Sequence, residues 1–244
     1  MAEDHDRDDM AFMGILMLDT AFPRPAGDIG NPATFDFPVR REIVAGAHPD
    51  RIVLEDASRW LPAFIGAARK LEEQGARLIT TSCGFLAPFQ QAIAAVVAVP
   101  VLTSSLHLYR QIAATLEPGL EPGRQVGILT ISAATLTVTH LQAAGIPPDA
   151  VIAGMPETSR FRQAILENRT ALDMEQAEAE HVAAARAMQA GHPELGAILL
   201  ECTNMPPYAE AIARATGLPV YSLNDGLKAI WHDRPLQPVT AAPR

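Results

Sequence analysis

CGFLAPFQQAIAAVVAVPV (83–101) and CTNMPPYAEAIARATGLPV (202–220) are two copies of one pattern, and each opens on one of the chain's two cysteines. Aligned without gaps at an offset of 119, they share Cys, Pro (88 and 207), Ala-Ile-Ala (92–94 and 211–213) and Pro-Val (100–101 and 219–220). Phe89 against Tyr208 and Leu86 against Met205 keep the same chemistry. The repeat continues upstream. Gly14-Ile15-Leu16 matches Gly127-Ile128-Leu129 at an offset of 113, so an indel of 6 separates the two registers. A thiol at the head of each copy puts Cys83 and Cys202 in equivalent places of two similar lobes.

Working outward, eight short apolar runs alternate with stretches of helical spacing. The runs are 14–18, 51–54, 76–81, 99–102, 125–131, 150–154, 196–200 and 218–221. They do not alternate polar with apolar, as expected of strands covered on both faces. Stretches 57–74, 88–97, 132–145, 158–191 and 207–216 carry the helical pattern. Strands alternating with helices imply parallel sheets. LEPGLEPGRQ (116–125), with two Pro-Gly pairs, marks a boundary between lobes. The expected fold is α/β, with two pseudo-symmetric lobes, each a parallel sheet flanked by helices, and an active-site cleft between them. Residues 11–115 with a C-terminal helix around 223–232 form the first lobe, 125–222 form the second, and 1–10 and 233–244 are tails.

Composition narrows the function. With 244 residues and 48% hydrophobic content, the chain can bury a sizeable core. A net charge of −9 argues against a nucleic-acid or anionic-membrane surface. No apolar run reaches the length of a membrane span, and the acidic N-terminus does not read as a secretory signal. Two cysteines without an export signal point to free thiols and a cytoplasmic location.

The thiols fall where open parallel sheets bind ligands, beyond the carboxyl ends of their strands. Helix starts signalled by Pro88 and Pro207 lie close by, and a helix N-terminus favours a thiolate. Small polar groups surround them: Thr80, Thr81 and Ser82 before Cys83, Gly84 after it, and Thr203 and Asn204 after Cys202. Hydroxyls, an amide and backbone N–H groups suit a carboxylate or an enolate-like oxygen. Thr130 and Ser132 end the second lobe's first strand and are expected to face the same cleft. The matching strand of the first lobe runs into Asp19-Thr20 and a long Pro/Gly-rich loop (21–40) that carries Arg24, Asp28 and Asn31. Arg24 or Arg40 is a candidate partner for a substrate carboxylate. No dinucleotide or phosphate-loop fingerprint occurs, the seven histidines lack metal spacing, and neither Lys70 nor Lys228 reads as a Schiff-base site. No cofactor and no metal are expected.

The GIL strand, TTSCGF around the first cysteine, LLECTNMPP around the second and the repeat between them resemble the aspartate/glutamate racemase superfamily. That group includes hydantoin racemases, maleate isomerases and arylmalonate decarboxylases. The resemblance implies a cofactor-independent mechanism with Cys83 and Cys202 on opposite faces of an acidic carbon, one as base and the other as proton donor. It also implies a homodimer, in keeping with wide apolar helix stripes and 19% charged residues. Four positions depart from amino-acid racemases: Gly84-Phe85 stands where Asn-Thr is common, Asn204 where His is, and Glu201 where a small residue is. These departures point away from glutamate and aspartate as substrates. The leading expectation is a racemase or epimerase acting next to a carboxylate or carbonyl of a small molecule. A cysteine-dependent cis–trans isomerase or decarboxylase and a non-enzymatic two-lobed sensor are the alternatives.

Overall fold

The computed structural model describes residues 11–116 and 124–241. The expected N-terminal tail and most of the boundary segment lie outside the described residues. Two four-stranded parallel sheets form the frame. The first runs β2-β1-β3-β4, built from β1 (Phe12–Leu18), β2 (Val39–Val44), β3 (Ala76–Thr81) and β4 (Val101–Leu102). The second runs β6-β5-β7-β8, from β5 (Gln125–Thr130), β6 (Ile152–Gly154), β7 (Leu195–Leu200) and β8 (Val220–Tyr221). The order is the same in both, and so is the register. Ile79 pairs with Val101 and Ile198 with Val220, each 119 residues on, and both sheets carry a register shift at their first strand, after Phe12 and after Gln125. The α/β two-lobe architecture is therefore as expected.

Burial explains the legible strands. Every residue of β1 and β7 is buried, so their sequences are unbroken apolar runs. β2, VRREIV, is an edge strand with exposed Arg40 and Arg41, and its charges hide it among loop residues. The run 51–54, expected as a strand, belongs instead to helix α1 (Pro49–Val53). Proline opens it, and Ile52 and Val53 are buried on one side.

Helix α2 (Leu61–Glu73) packs Phe64, Ala68 and Leu71 inward. The stretch expected as a helix from Pro88 is a 3-10 turn, Gly84–Phe89, that starts directly after Cys83 and holds Pro88 inside it, followed by α3 (Gln90–Ala94). α4 (Tyr109–Leu116) and α5 (Val138–Ala143) follow. The long stretch 158–191 breaks into α6 (Arg160–Leu166) and α7 (Met174–Gly191), because Asn168 takes a left-handed φ of 54° and Asp173 caps α7 by accepting from the Gln176 N–H. In the second lobe a 3-10 turn, Pro206–Tyr208, precedes α8 (Ala209–Thr216).

The last helix, α9 (Leu223–Trp231), crosses to the first lobe. Trp231 stacks on Phe37 with ring centroids 4.4 Å apart. Gly226 meets Leu102 and Leu108 so closely that an added Cβ would lie 2.8 Å from Leu108. The chain after α9, expected as a free tail, is pinned in part: Val239 and Val220 exchange both backbone hydrogen bonds, at 2.8 and 2.9 Å. Among the described residues no helix is long and apolar enough to cross a membrane.

Candidate functional site

Cys83 and Cys202 each sit two residues past a central strand, β3 and β7, and both are free and buried. The equivalence of the two sheets brings them to one small cavity between the lobes. The lobes are stitched together at this point. Thr203 Oγ1 donates to the Ser82 carbonyl at 2.6 Å, Ser105 Oγ donates to the Leu200 carbonyl at 2.8 Å, and the Ile29 N–H reaches the Thr203 carbonyl. Thr203→Val keeps the shape but leaves a buried carbonyl unpaired; we expect it to cost about 1–2 kcal/mol of unfolding free energy in a urea titration.

Of the residues expected at the site, Arg24, Ser82, Gly84, Thr203 and Asn204 line this cavity with the two thiols. The others do not, for identifiable reasons. The Thr81 hydroxyl turns to the Thr103 carbonyl (2.6 Å) and ties the end of β3 to the chain after β4. The Asp19 carboxylate accepts from the Gly46 N–H and steadies the chain after β2. Asn31 caps a short 3-10 turn and donates to the Arg24 carbonyl, so it shapes the loop that carries Arg24. The Ser132 Oγ is buried without a partner off the cavity wall. Thr130 acts one step back, donating to Glu201 Oε2 at 2.7 Å. Arg40 lies over the Phe12 ring, 4.1 Å from its centroid, away from the site.

A chain of polar contacts runs from the long loop to the second thiol. Arg24 donates to Asp28 Oδ1 (2.7 Å) and to Thr20 Oγ1 (2.8 Å), with its guanidinium over the Phe22 ring. Asp28, fully buried, accepts from Asn204 Nδ2 at 2.6 Å, and Asn204 Oδ1 in turn accepts from the Cys202 thiol at 3.6 Å. Asp28, Thr20 and Phe22 were not singled out as site residues in the sequence. The one signal available for Asp28 was its place in a long loop at a strand's carboxyl end.

Glu201 was a second omission. It is wholly buried at the end of β7, lines the cavity, and has one carboxylate oxygen, Oε1, without a hydrogen-bond partner. Burial pushes its carboxyl up to about 7, against the opposing hydrogen bond from Thr130. Its signal was a lone acid closing an otherwise apolar strand.

Burial, and next the Glu201 charge, push the Cys83 thiol up; the Phe85 N–H and the Arg24 charge act the other way. Cys202 is pushed up by burial and Glu201, with only the Asn204 N–H in opposition and with Cys83 and Asp28 adding to the rise. The two thiols are therefore equivalent in position and unequal in surroundings. Phe85 and Val53 line both this cavity and a larger surface groove that also includes Pro88 and His140. Phe85 meets the His140 ring edge-on with centroids 5.1 Å apart.

Residues 45–227 match the model of the Asp/Glu/Hydantoin racemase family, and the chain belongs to that family. A dimethylsulfoniopropionate lyase of Durusdinium sp. clade D is 30% identical over 222 residues, covering 86% of this chain and 71% of that protein. Dimethylsulfoniopropionate lyase 3 of Emiliania huxleyi is 28% identical over 229 residues; that alignment covers 86% of this chain and 56% of the relative, so this chain spans little more than half its length. In fold the chain is similar to a Gly-to-Cys mutant of arylmalonate decarboxylase (TM-score 0.61, 18% identity, 90% of this chain and 92% of that one). It is likewise similar to the aspartate racemase of Picrophilus torridus (TM-score 0.54, 17% identity, 91% and 93%). The two-lobed fold is thus shared with a decarboxylase and a racemase, and the sequence is related to proteins named as lyases.

Proposed function

We propose that this protein is a cofactor-independent lyase that takes a proton from the carbon next to a carboxylate and expels dimethyl sulfide from the neighbouring carbon, with dimethylsulfoniopropionate as substrate. The observation that carries the reading is the pair of buried thiols at equivalent strand ends on one cavity, in a chain whose relatives include lyases of that name. The walls suit an onium carboxylate: the Phe85 ring and the Glu201 carboxyl for the cation, and Arg24 and the Asn204 amide for the anion.

Cys83 is the base: burial and the Glu201 charge push both thiols up, but Cys83 is opposed by the Phe85 N–H and the Arg24 charge where Cys202 has a single N–H. Its sulfur takes the proton from the α-carbon. The electron pair left behind becomes a carbon–carbon double bond as the bond from the β-carbon to sulfur breaks with its electrons. Dimethyl sulfide leaves and acrylate remains, and the proton on Cys83 returns to solvent. Cys202, beside Asp28 and hydrogen-bonded to Asn204, stays protonated and fills the opposite face. Burial disfavours both thiolates, and the sulfonium of the substrate supplies the charge that offsets this.

The racemase expected from the sequence is the second reading, favoured by the positional equivalence of Cys83 and Cys202. One experiment separates the two. The purified chain is given dimethylsulfoniopropionate, and dimethyl sulfide is followed by gas chromatography and acrylate by NMR; a panel of chiral carboxylic acids in D2O is run alongside. Sulfide and acrylate in equal amounts support the lyase. Deuterium uptake into chiral acids without sulfide release overturns it in favour of the racemase.

A further inference from the structure

Six buried side-chain polar atoms among the described residues lack a hydrogen-bond partner: Trp60 Nε1, Ser132 Oγ, Arg162 Nε, His181 Nε2, Glu201 Oε1 and Asn224 Oδ1. Of these six residues, Glu201 alone lines the cavity that holds the two thiols. An unpaired carboxylate oxygen is among the most expensive groups to bury, so its persistence at a ligand cavity asks what satisfies it. The protein does not: Arg24, the cation on the wall, already donates to Asp28 and Thr20.

The position of Glu201 is built, not incidental. Thr130 holds Oε2 at 2.7 Å, and the Glu201 N–H is fixed to the Leu129 carbonyl at 2.9 Å. Gly84 packs directly against this carboxylate, and its missing side chain is what lets Oε1 sit there: a Cβ would overlap it. The neighbouring wall is apolar, from Leu18, Val53, Phe85, Ile131 and Ile165. A charge partner that also matches apolar walls is a methylated cation rather than a bare ammonium.

We infer that Glu201 is the specificity-determining residue of this cavity, its unpaired carboxylate facing the positive charge of a methylated onium group while Gly84 gives that carboxylate its place. The inference rests on the lyase reading for the carboxylate at the other end of the ligand. It also explains a feature of that mechanism. A cation set against Glu201 cancels the charge that otherwise opposes thiolate formation at Cys83, so an onium substrate favours its own base.

The test compares two unreactive isosteres, 3-(trimethylammonio)propanoate and 4,4-dimethylpentanoate, which differ only in a positive nitrogen for a carbon. Their affinities for the full chain are measured by calorimetry at pH 8. The wild-type protein is expected to bind the onium at least about tenfold more tightly, as a charge-assisted contact in a buried site allows. Glu201→Gln is expected to bring the ratio to about one and leave the neutral isostere within about threefold of its wild-type affinity, since that contact is removed alone. A wild-type ratio near one overturns the inference without recourse to any variant, and so does a ratio that Glu201→Gln leaves intact. The lyase reading is scored separately on the same preparation. No sulfide from dimethylsulfoniopropionate, with onium preference retained, sinks that reading and leaves the role of Glu201 standing; turnover without onium preference does the reverse.

Discussion

Cys83→Ser is expected to lower dimethyl sulfide release by about 10²–10⁴-fold, the share usually carried by a positioned base. A serine hydroxyl at position 83 keeps the size of the side chain but ionises far too reluctantly to take a proton from carbon, and burial makes its alkoxide costlier still. Cys202→Ser should be much milder, within about tenfold, because elimination needs one base and the departing sulfide needs no proton. Racemisation predicts another outcome. There each enantiomer is deprotonated by a different thiol, so both substitutions are severe, and solvent exchange survives for opposite enantiomers in the two variants. Initial rates for both variants, with circular dichroism to establish that each is folded, decide the matter. A Cys83→Ser enzyme with near-normal sulfide release ends the base assignment, and two equally severe losses argue for the two-base reading.

The parts of this fold that the sequence made legible are those dictated by burial. β1 and β7 are buried throughout and β3 and β5 at all but one residue, so each carries a short apolar run, and the two cysteine-headed copies are in register because the two sheets share one strand order. β2 escaped because an edge strand needs only part of its surface covered, and VRREIV looks like a charged loop. The segment 51–54 misled because a single buried turn, Ile52-Val53, reads like a short strand when the helix around it is only five residues long.

The candidate site divides in the same way. Thiols, turn hydroxyls and Asn204 follow local strand-end chemistry and can be read in order along the chain. Asp28 meets Asn204 across 176 residues and Thr130 meets Glu201 across 71. Contacts at such separations, the first between lobes and the second between neighbouring strands of one sheet, leave no local pattern. Thr81 and Thr130 show the converse: each stands at a strand end as expected, yet its hydroxyl serves a neighbouring carbonyl or carboxylate instead of the cavity.

The buried carboxyl also gives the protein a pH signature. Glu201 titrates near its ordinary value of 4.5 in the unfolded chain and at about 7 in the folded one. Below pH 4.5 it is protonated in both states and carries no penalty. As pH rises through this interval the unfolded chain releases the proton first, so folding stability is lost progressively and the loss is complete above about 7. At about 1.4 kcal/mol per pKa unit, the total is on the order of 3 kcal/mol. Glu201→Gln has nothing to titrate there. Relative to wild type it should gain on the order of 3 kcal/mol between pH 4 and pH 8, seen as a rise of roughly 6–12 °C in the difference between their Tm values. Subtracting the two proteins at each pH matters, because Asp36, Glu180 and His181 have their own shifts and contribute equally to both. The groups facing Glu201 are Thr130 from β5, Cys83 and Cys202 at the strand ends, and the Arg24–Asp28 pair of the long loop, all left in place by the substitution. A difference that stays flat across the range would mean that the carboxyl is solvated or paired after all, and the strained charge at the cavity would have to be abandoned. A difference that grows as expected identifies destabilisation held in reserve at the site, which a bound cation is placed to relieve.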